Sequence, residues 1–150
     1  MIAPIVINPN RIELDEAYMQ MAEIWAKRSK ANRSQVGALI VRDRQIISDG
    51  YNGMPVGAKD DVCEIYDANQ ELITKPAVLH AESNAITKLA ASHGAPATGS
   101  TMYVTLSPCY ECSKLIIQAG IKRVVYRNEY RITDGLDLLR EFDVEVVNLK

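Results

Sequence analysis

The sequence predicts an α/β protein: one three-layer α/β/α sandwich over residues 1–150, with a mixed five-stranded sheet that begins with an antiparallel hairpin. Three observations carry this reading. A chain of 150 residues suits a single domain with one core. Two adjacent runs rich in Val, Ile and Leu, separated only by Asp43 and Arg44, read as two strands joined by a tight turn. Beyond residue 80 short helices alternate with strands, the pattern of right-handed parallel crossovers.

Leu14, Ala17, Met21, Ile24 and Trp25 share one face of a helix expected over residues 13–30, and that face is expected to pack inward. Residues 36–42 and 45–51 form the hairpin. Residues 50–61 hold three glycines, a proline and an Asn-Gly pair, and residues 62–79 keep no sustained period. That stretch reads as a long irregular connection, and long connections inside compact domains tend to be functional. Regular patterning then returns as helix 81–92, strand 101–106, helix 110–119, strand 123–126, helix 134–142 and strand 144–149. Gly120 follows the second of these helices as a C-terminal glycine. The second half is expected to extend the sheet with helices on both faces.

Composition narrows the function classes. Apolar residues make up 47% and charged residues 24%, an ordinary globular balance, and Gly 8 and Pro 6 argue against disorder. No apolar run reaches the roughly 18 to 20 residues of a membrane span. Met1 to Pro9 has neither a basic leader region nor a cleavage pattern, so a cytoplasmic location and no membrane partner are expected. A net charge of -2 disfavours bulk nucleic-acid binding, which normally shows a basic footprint. Three cysteines are too few for a disulfide scaffold, and Cys109 and Cys112 stand at C-x-x-C spacing.

Two segments concentrate the chemistry: His80-Ala81-Glu82 and Pro108-Cys109-Tyr110-Glu111-Cys112, each at an expected helix N-terminus. One imidazole and two thiolates supply three zinc ligands, and a zinc ion with three protein ligands keeps its fourth position open, as catalytic sites do. The positive end of a helix dipole favours the thiolate at Cys109. Glu82 stands two residues past a ligand, placed to move protons rather than to bind metal. Alone, a lone His, a C-x-x-C or a Glu at a helix start has ordinary structural explanations. Together they match the zinc deaminase pattern H-x-E followed by P-C-x-x-C.

On these residues, and on K-R-S-K (27–30), S-Q-V-G-A (34–38), G-Y-N-G (50–53), H-A-E-S-N-A-I (80–86) and T-L-S-P-C-Y-E-C-S-K-L-I-I-Q-A-G-I (105–121), the chain resembles the deoxycytidylate (dCMP) deaminases of the cytidine deaminase-like fold. The resemblance covers most of the chain. It implies hydrolytic deamination of dCMP to dUMP with release of ammonia, supplying dUMP for thymidylate synthesis. Zinc-activated hydroxide then attacks carbon 4 while Glu82 shuttles protons. His80, Cys109 and Cys112 are implied as ligands of one zinc per subunit. Asn52 is implied for sugar or base, the Ala81 amide for the pyrimidine carbonyl and the Ser107 carbonyl for the exocyclic amine.

The resemblance further implies a homohexamer activated by dCTP (with Mg2+) and inhibited by dTTP, with Gly50, Tyr51 and Gly53 in the regulatory loop. Some viral relatives hold a second zinc; with only Cys63 and His93 unassigned, this chain departs from that pattern. Cys63 is expected as a plain loop or semi-buried cysteine and His93 as a residue at a helix C-terminus. For the substrate phosphate, Arg28 is the first choice, with Tyr130 as hydroxyl donor and Lys30 or Arg33 as substitutes. The competing readings are a zinc deaminase of another cytosine nucleoside or base, including a base in nucleic acid, and a zinc-stabilised, catalytically silent regulatory subunit.

Overall fold

In the computed structural model, which describes residues 2–150, the order is α1 (Leu14–Ala26), β1 (Gly37–Arg42), β2 (Gln45–Tyr51), β3 (Glu64–Tyr66), β4 (Leu72–Thr74), α2 (Ala81–Ala90), β5 (Thr101–Leu106), α3 (Tyr110–Gln118), β6 (Arg123–Asn128), α4 (Asp134–Glu141) and β7 (Glu145–Asn148). Met1, the first residue of the stretch read for a leader, lies outside the described residues. The main sheet runs β2-β1-β5-β6-β7. Its first two pairings are antiparallel and its last two parallel, as a mixed five-stranded sheet requires. Asp43 and Arg44 turn the opening hairpin with φ of 52° and 61°, the left-handed pair that matches strand twist in a two-residue connection.

Side chains alternate across the sheet as a period of two demands. Ala38, Ile40, Met102, Val104, Val124 and Tyr126 face the core shared with α2, α3 and α4, whereas Leu39, Val41, Tyr103 and Val125 face α1. The helices of the second half therefore share one face, not two. From β5 to β6 to β7 the strand order advances in one direction, so successive right-handed crossovers deposit their helices on the same side. The opposite layer is α1.

That helix packs on a different stripe from the expected one. Tyr18, Met19, Ala22 and Ala26 are buried against the sheet, while Leu14, Met21 and Ile24 are exposed. The reason lies in Gly37, where a Cβ would stand 2.1 Å from the Ala22 carbonyl oxygen and 2.7 Å from the Ala26 nitrogen. Only the alanine side of α1 permits that approach. Acidic residues reinforce the choice. Asp15 accepts from Arg123 at 3.1 and 2.6 Å and from the Tyr103 hydroxyl at 2.6 Å, and Arg127 donates to both Glu16 and Glu23. The helix also stops four residues early, and the chain leaves it through main-chain bonds from Lys27, Arg28 and Ser29 to Ile24, Trp25 and Ala26.

The stretch over residues 62–79 is not wholly irregular. It contains the β3–β4 hairpin, whose turn is built by Asp67, with Oδ1 accepting from the amides of Asn69 and Glu71 at 2.8 and 2.9 Å.

The hydrogen bond from Arg123 holds the Asp15 carboxyl below its usual 3.8. A depressed folded value adds stability above the unfolded pKa, and that contribution is lost as pH falls through the folded value. Asp15→Asn is therefore expected to lower the melting temperature at pH 7 by about 4 °C, since a well-formed charged pair contributes about 1 to 2 kcal/mol. The gap between the two proteins closes as pH falls from the unfolded value through the lower folded one. A gap independent of pH, read by circular dichroism, contradicts the assignment.

Candidate metal centre and substrate cavity

α2 and α3 begin at the same end of the sheet. His80 is the N-cap of α2, Cys109 is the N-cap of α3, and Cys112 lies in the first turn of α3. Two glycines permit this convergence. A Cβ on Gly50 would lie 2.5 Å from the Ala81 carbonyl oxygen, and one on Gly135 would lie 2.4 Å from the Pro108 carbonyl oxygen and 2.7 Å from the Cys109 carbonyl carbon. β2 thus presses on the first turn of α2, and α4 presses on the loop that carries Cys109.

His80 Nδ1 is 3.6 Å from Cys109 Sγ and 3.4 Å from Cys112 Sγ, and the three donor atoms all lie within 4.8 Å of one another. Zinc with bonds of about 2.3 Å to sulfur and 2.0 to 2.1 Å to nitrogen separates tetrahedral ligands by about 3.6 Å, so the donor set fits that ion. The electrostatics fit as well. Cys109 accepts from the Cys112 thiol, from His80 and from the Cys112 amide, which holds it well below its usual 9.0; the same sulfur contact pushes Cys112 up. His80 is raised, chiefly by Cys109. The cluster therefore offers negative charge to a cation and releases protons when one binds.

Glu82 is 4% exposed and lines the same cavity. Burial pushes its carboxyl up to about 7 from 4.5. A cation at the three donors would favour the ionised carboxylate, the form that can take up a proton.

The cavity measures about 520 Å³, within the range of small-ligand sites. Of the residues singled out in the sequence, His80, Ala81, Glu82, Cys109, Asn52, Ser107, Tyr130 and Arg33 line it, and Cys112 completes the donor set beside it. Asn52 is held on both polar atoms, its Oδ1 accepting from the Val36 amide at 2.9 Å and its Nδ2 donating to the Ser34 carbonyl at 2.8 Å. One lone pair and one hydrogen remain for a ligand. Ser107 Oγ accepts from the Tyr130 amide at 2.7 Å, and the Arg131 guanidinium lies 5.7 Å from the Tyr130 ring centroid.

Arg28 does not line the cavity, and Lys30 pairs with Asp61. Because α1 ends at Ala26, the wall is formed by the later part of the loop, Ala31, Arg33, Ser34 and Val36, so Arg33 lines the cavity where Arg28 does not. Gly50, Tyr51 and Gly53 stand outside the lining as well. Gly50 packs on α2, Tyr51 lies against Trp25 with ring centroids 5.6 Å apart, and Gly53 bridges to Leu79. Cys63 lies in the loop before β3, where it is fully rather than partly buried, and His93 is exposed in the turn after α2. Sequence reasoning passed over Glu64, Thr74, Arg131 and Gly135. Arg131, a cation beside Tyr130, was the one that carried a readable signal.

Together the layers and the site define an α/β/α domain with a three-donor set that fits zinc, an adjoining buried carboxyl group and a cavity for a small ligand. Residues 12–128 match the cytidine and deoxycytidylate deaminase zinc-binding region, and the chain belongs to that family. It is 47% identical to human deoxycytidylate deaminase over 121 residues, covering 79% of this chain and 66%, just under two thirds, of the human protein. It is 38% identical over 130 residues to the deoxycytidylate deaminase of Mycobacterium phage D29, with 80% and 98% of the two chains covered. Among solved structures it resembles the dCMP deaminase of cyanophage S-TIM5 in complex with dCMP and dUMP. The TM-score is 0.84 at 44% identity, over 96% of this chain and 100% of that one.

The contact at Gly135 is open to test. Gly135→Val is expected to displace the Cys109 loop and weaken zinc retention about 10- to 100-fold, as loss of ligand support does. Zinc content after dialysis against a chelator measures this; full retention contradicts the packing role.

Proposed function

We propose that this protein hydrolyses dCMP to dUMP and ammonia. One observation carries the reading: a buried proton-transfer carboxylate beside a three-donor metal centre, in a cavity whose wall also holds two arginines. The phage relative solved with dCMP and dUMP at 44% identity supports it.

His80, Cys109 and Cys112 would hold the zinc, which when bound would lower the pKa of water to about 7 and so supply a nucleophile at neutral pH. Glu82 removes the water proton and delivers it to ring nitrogen 3 of cytosine as carbon 4 is attacked. The same carboxylate then carries the second proton to the departing amine, so that one residue serves as base and acid in turn. The Ala81 amide donates to the pyrimidine carbonyl, the Ser107 carbonyl accepts from the exocyclic amine, and Asn52 meets sugar or base. Arg33 and Arg131, with the Tyr130 hydroxyl, bind the phosphate through charge-assisted hydrogen bonds. The protein works in the cytoplasm as a homohexamer with one zinc per subunit, under activation by dCTP with Mg2+ and inhibition by dTTP through the loop of Gly50, Tyr51 and Gly53.

The test follows ammonia and dUMP from the purified, zinc-loaded protein. Wild type is expected to favour dCMP over deoxycytidine by about 100-fold in kcat/KM, the scale of one or two charged hydrogen bonds. Glu82→Ala is expected to lose at least about 100-fold in kcat while keeping zinc. Zinc-loaded protein that releases no ammonia from dCMP contradicts the reading, and equal kcat/KM on both substrates makes it a nucleoside deaminase instead.

A further inference from the structure

We propose that Glu64 is a positioning residue for nucleotide recognition: the β3–β4 hairpin grips Arg33 at main chain and side chain and so sets the phosphate end of the cavity. The inference rests on the dCMP reading above.

Glu64 is 5% exposed, yet it is a carboxylate. Burying such a charge is costly unless it is hydrogen-bonded. Its partners lie in one loop: Oε2 accepts from the amides of Asn32 and Arg33 at 2.8 and 2.9 Å, and Oε1 accepts from Asn32 Nδ2 at 3.4 Å. Two consecutive main-chain amides directed at one oxygen form an anion nest, which constrains the backbone on both sides of Asn32. Those bonds, the Arg33 amide first, hold the Glu64 carboxyl below its usual 4.5, so it stays ionised at neutral pH.

Thr74 is the cross-strand partner of Glu64, and its Oγ1 accepts from Arg33 Nη1 at 3.1 Å. One rung of the hairpin thus holds both ends of the same arginine. Glu64, Thr74 and Arg33 all line the cavity. Arg33 has five N–H donors, and the Thr74 bond uses one, leaving the rest of the fork for an anion. The other end of the loop is tied by Asn52 to Val36 and Ser34, so the segment that carries Arg33 is fixed on both sides.

Kinetics with dCMP test this. Glu64→Ala is expected to raise KM about tenfold with kcat within about twofold and zinc content unchanged. Arg33→Ala is expected to give a similar rise, and the double variant Glu64→Ala, Arg33→Ala the KM of Arg33→Ala alone, because the two act through one guanidinium. An unchanged KM in Glu64→Ala, KM effects that multiply in the double variant, or a fall in kcat as large as the rise in KM each overturns the proposal. If Glu64→Ala does not fold, Glu64→Asp makes the same test, since it keeps the charge but withdraws it by one carbon. Wild type inactive on dCMP removes the substrate reading itself. Wild type active, with Arg33→Ala raised in KM and Glu64→Ala unaffected, removes only the role of Glu64.

Discussion

Two helix N-termini meet at one point, and the rest of the site depends on how that meeting is neutralised. Each terminus carries the positive end of a dipole worth roughly half a charge, along with amides that have no partner inside the helix. Brought together in a part-buried place they repel unless negative charge lies between them. The N-cap of α3 supplies it, because the Cys109 sulfur accepts from the Cys112 amide at 3.5 Å. His80 caps α2 without such a bond, leaving its ring to face both sulfurs. The groups that meet at the two helix starts are therefore the same three that could hold a metal ion. Zinc held by two thiolates and a neutral imidazole would carry no formal charge, and Glu82 lies beside those donors in the cavity.

Support for this centre comes from the fold in successive shells. Gly50 lets β2 lie against α2, and Gly135 lets α4 lie against the Cys109 loop, so both helix starts are pressed from outside. The loop after α1 closes the far wall and is anchored at one end by Asn52 and at the other by Glu64. The start of that loop is set by α1, which is locked over the sheet by Asp15 on Arg123 and by Glu16 and Glu23 on Arg127. The short hairpin thus holds Arg33 directly, while the salt-bridged helix α1 sets where the loop that carries it begins.

What was legible in the sequence follows from how locally each feature is encoded. His80, Glu82, Cys109 and Cys112 were readable because metal ligation and proton transfer admit few residue types, at spacings fixed by one helical turn. The hairpin of β1 and β2 and the later strands were readable because each is long enough to show its pattern; β3 and β4, three residues each, are not. The packing face of α1 was misread because the helix has two plausible stripes. The choice between them was made by Gly37 and by two arginines about a hundred residues downstream in β6. Arg33 was ranked below Arg28 for a related reason. Which residue of a basic cluster reaches a cavity depends on where the helix ends and on partners such as Glu64 and Thr74, and neither is local.

The zinc-edge X-ray absorption spectrum of the purified protein measures the centre most directly. Three protein donors and an open position require two sulfur scatterers at about 2.3 Å and light-atom scatterers at about 2.0 to 2.1 Å, one of them the imidazole nitrogen and one exchangeable. On addition of dUMP the sulfur shell is expected to stay unchanged while the light-atom shell alters. A third sulfur or a second imidazole, or a spectrum indifferent to dUMP, describes a closed structural site and contradicts the account.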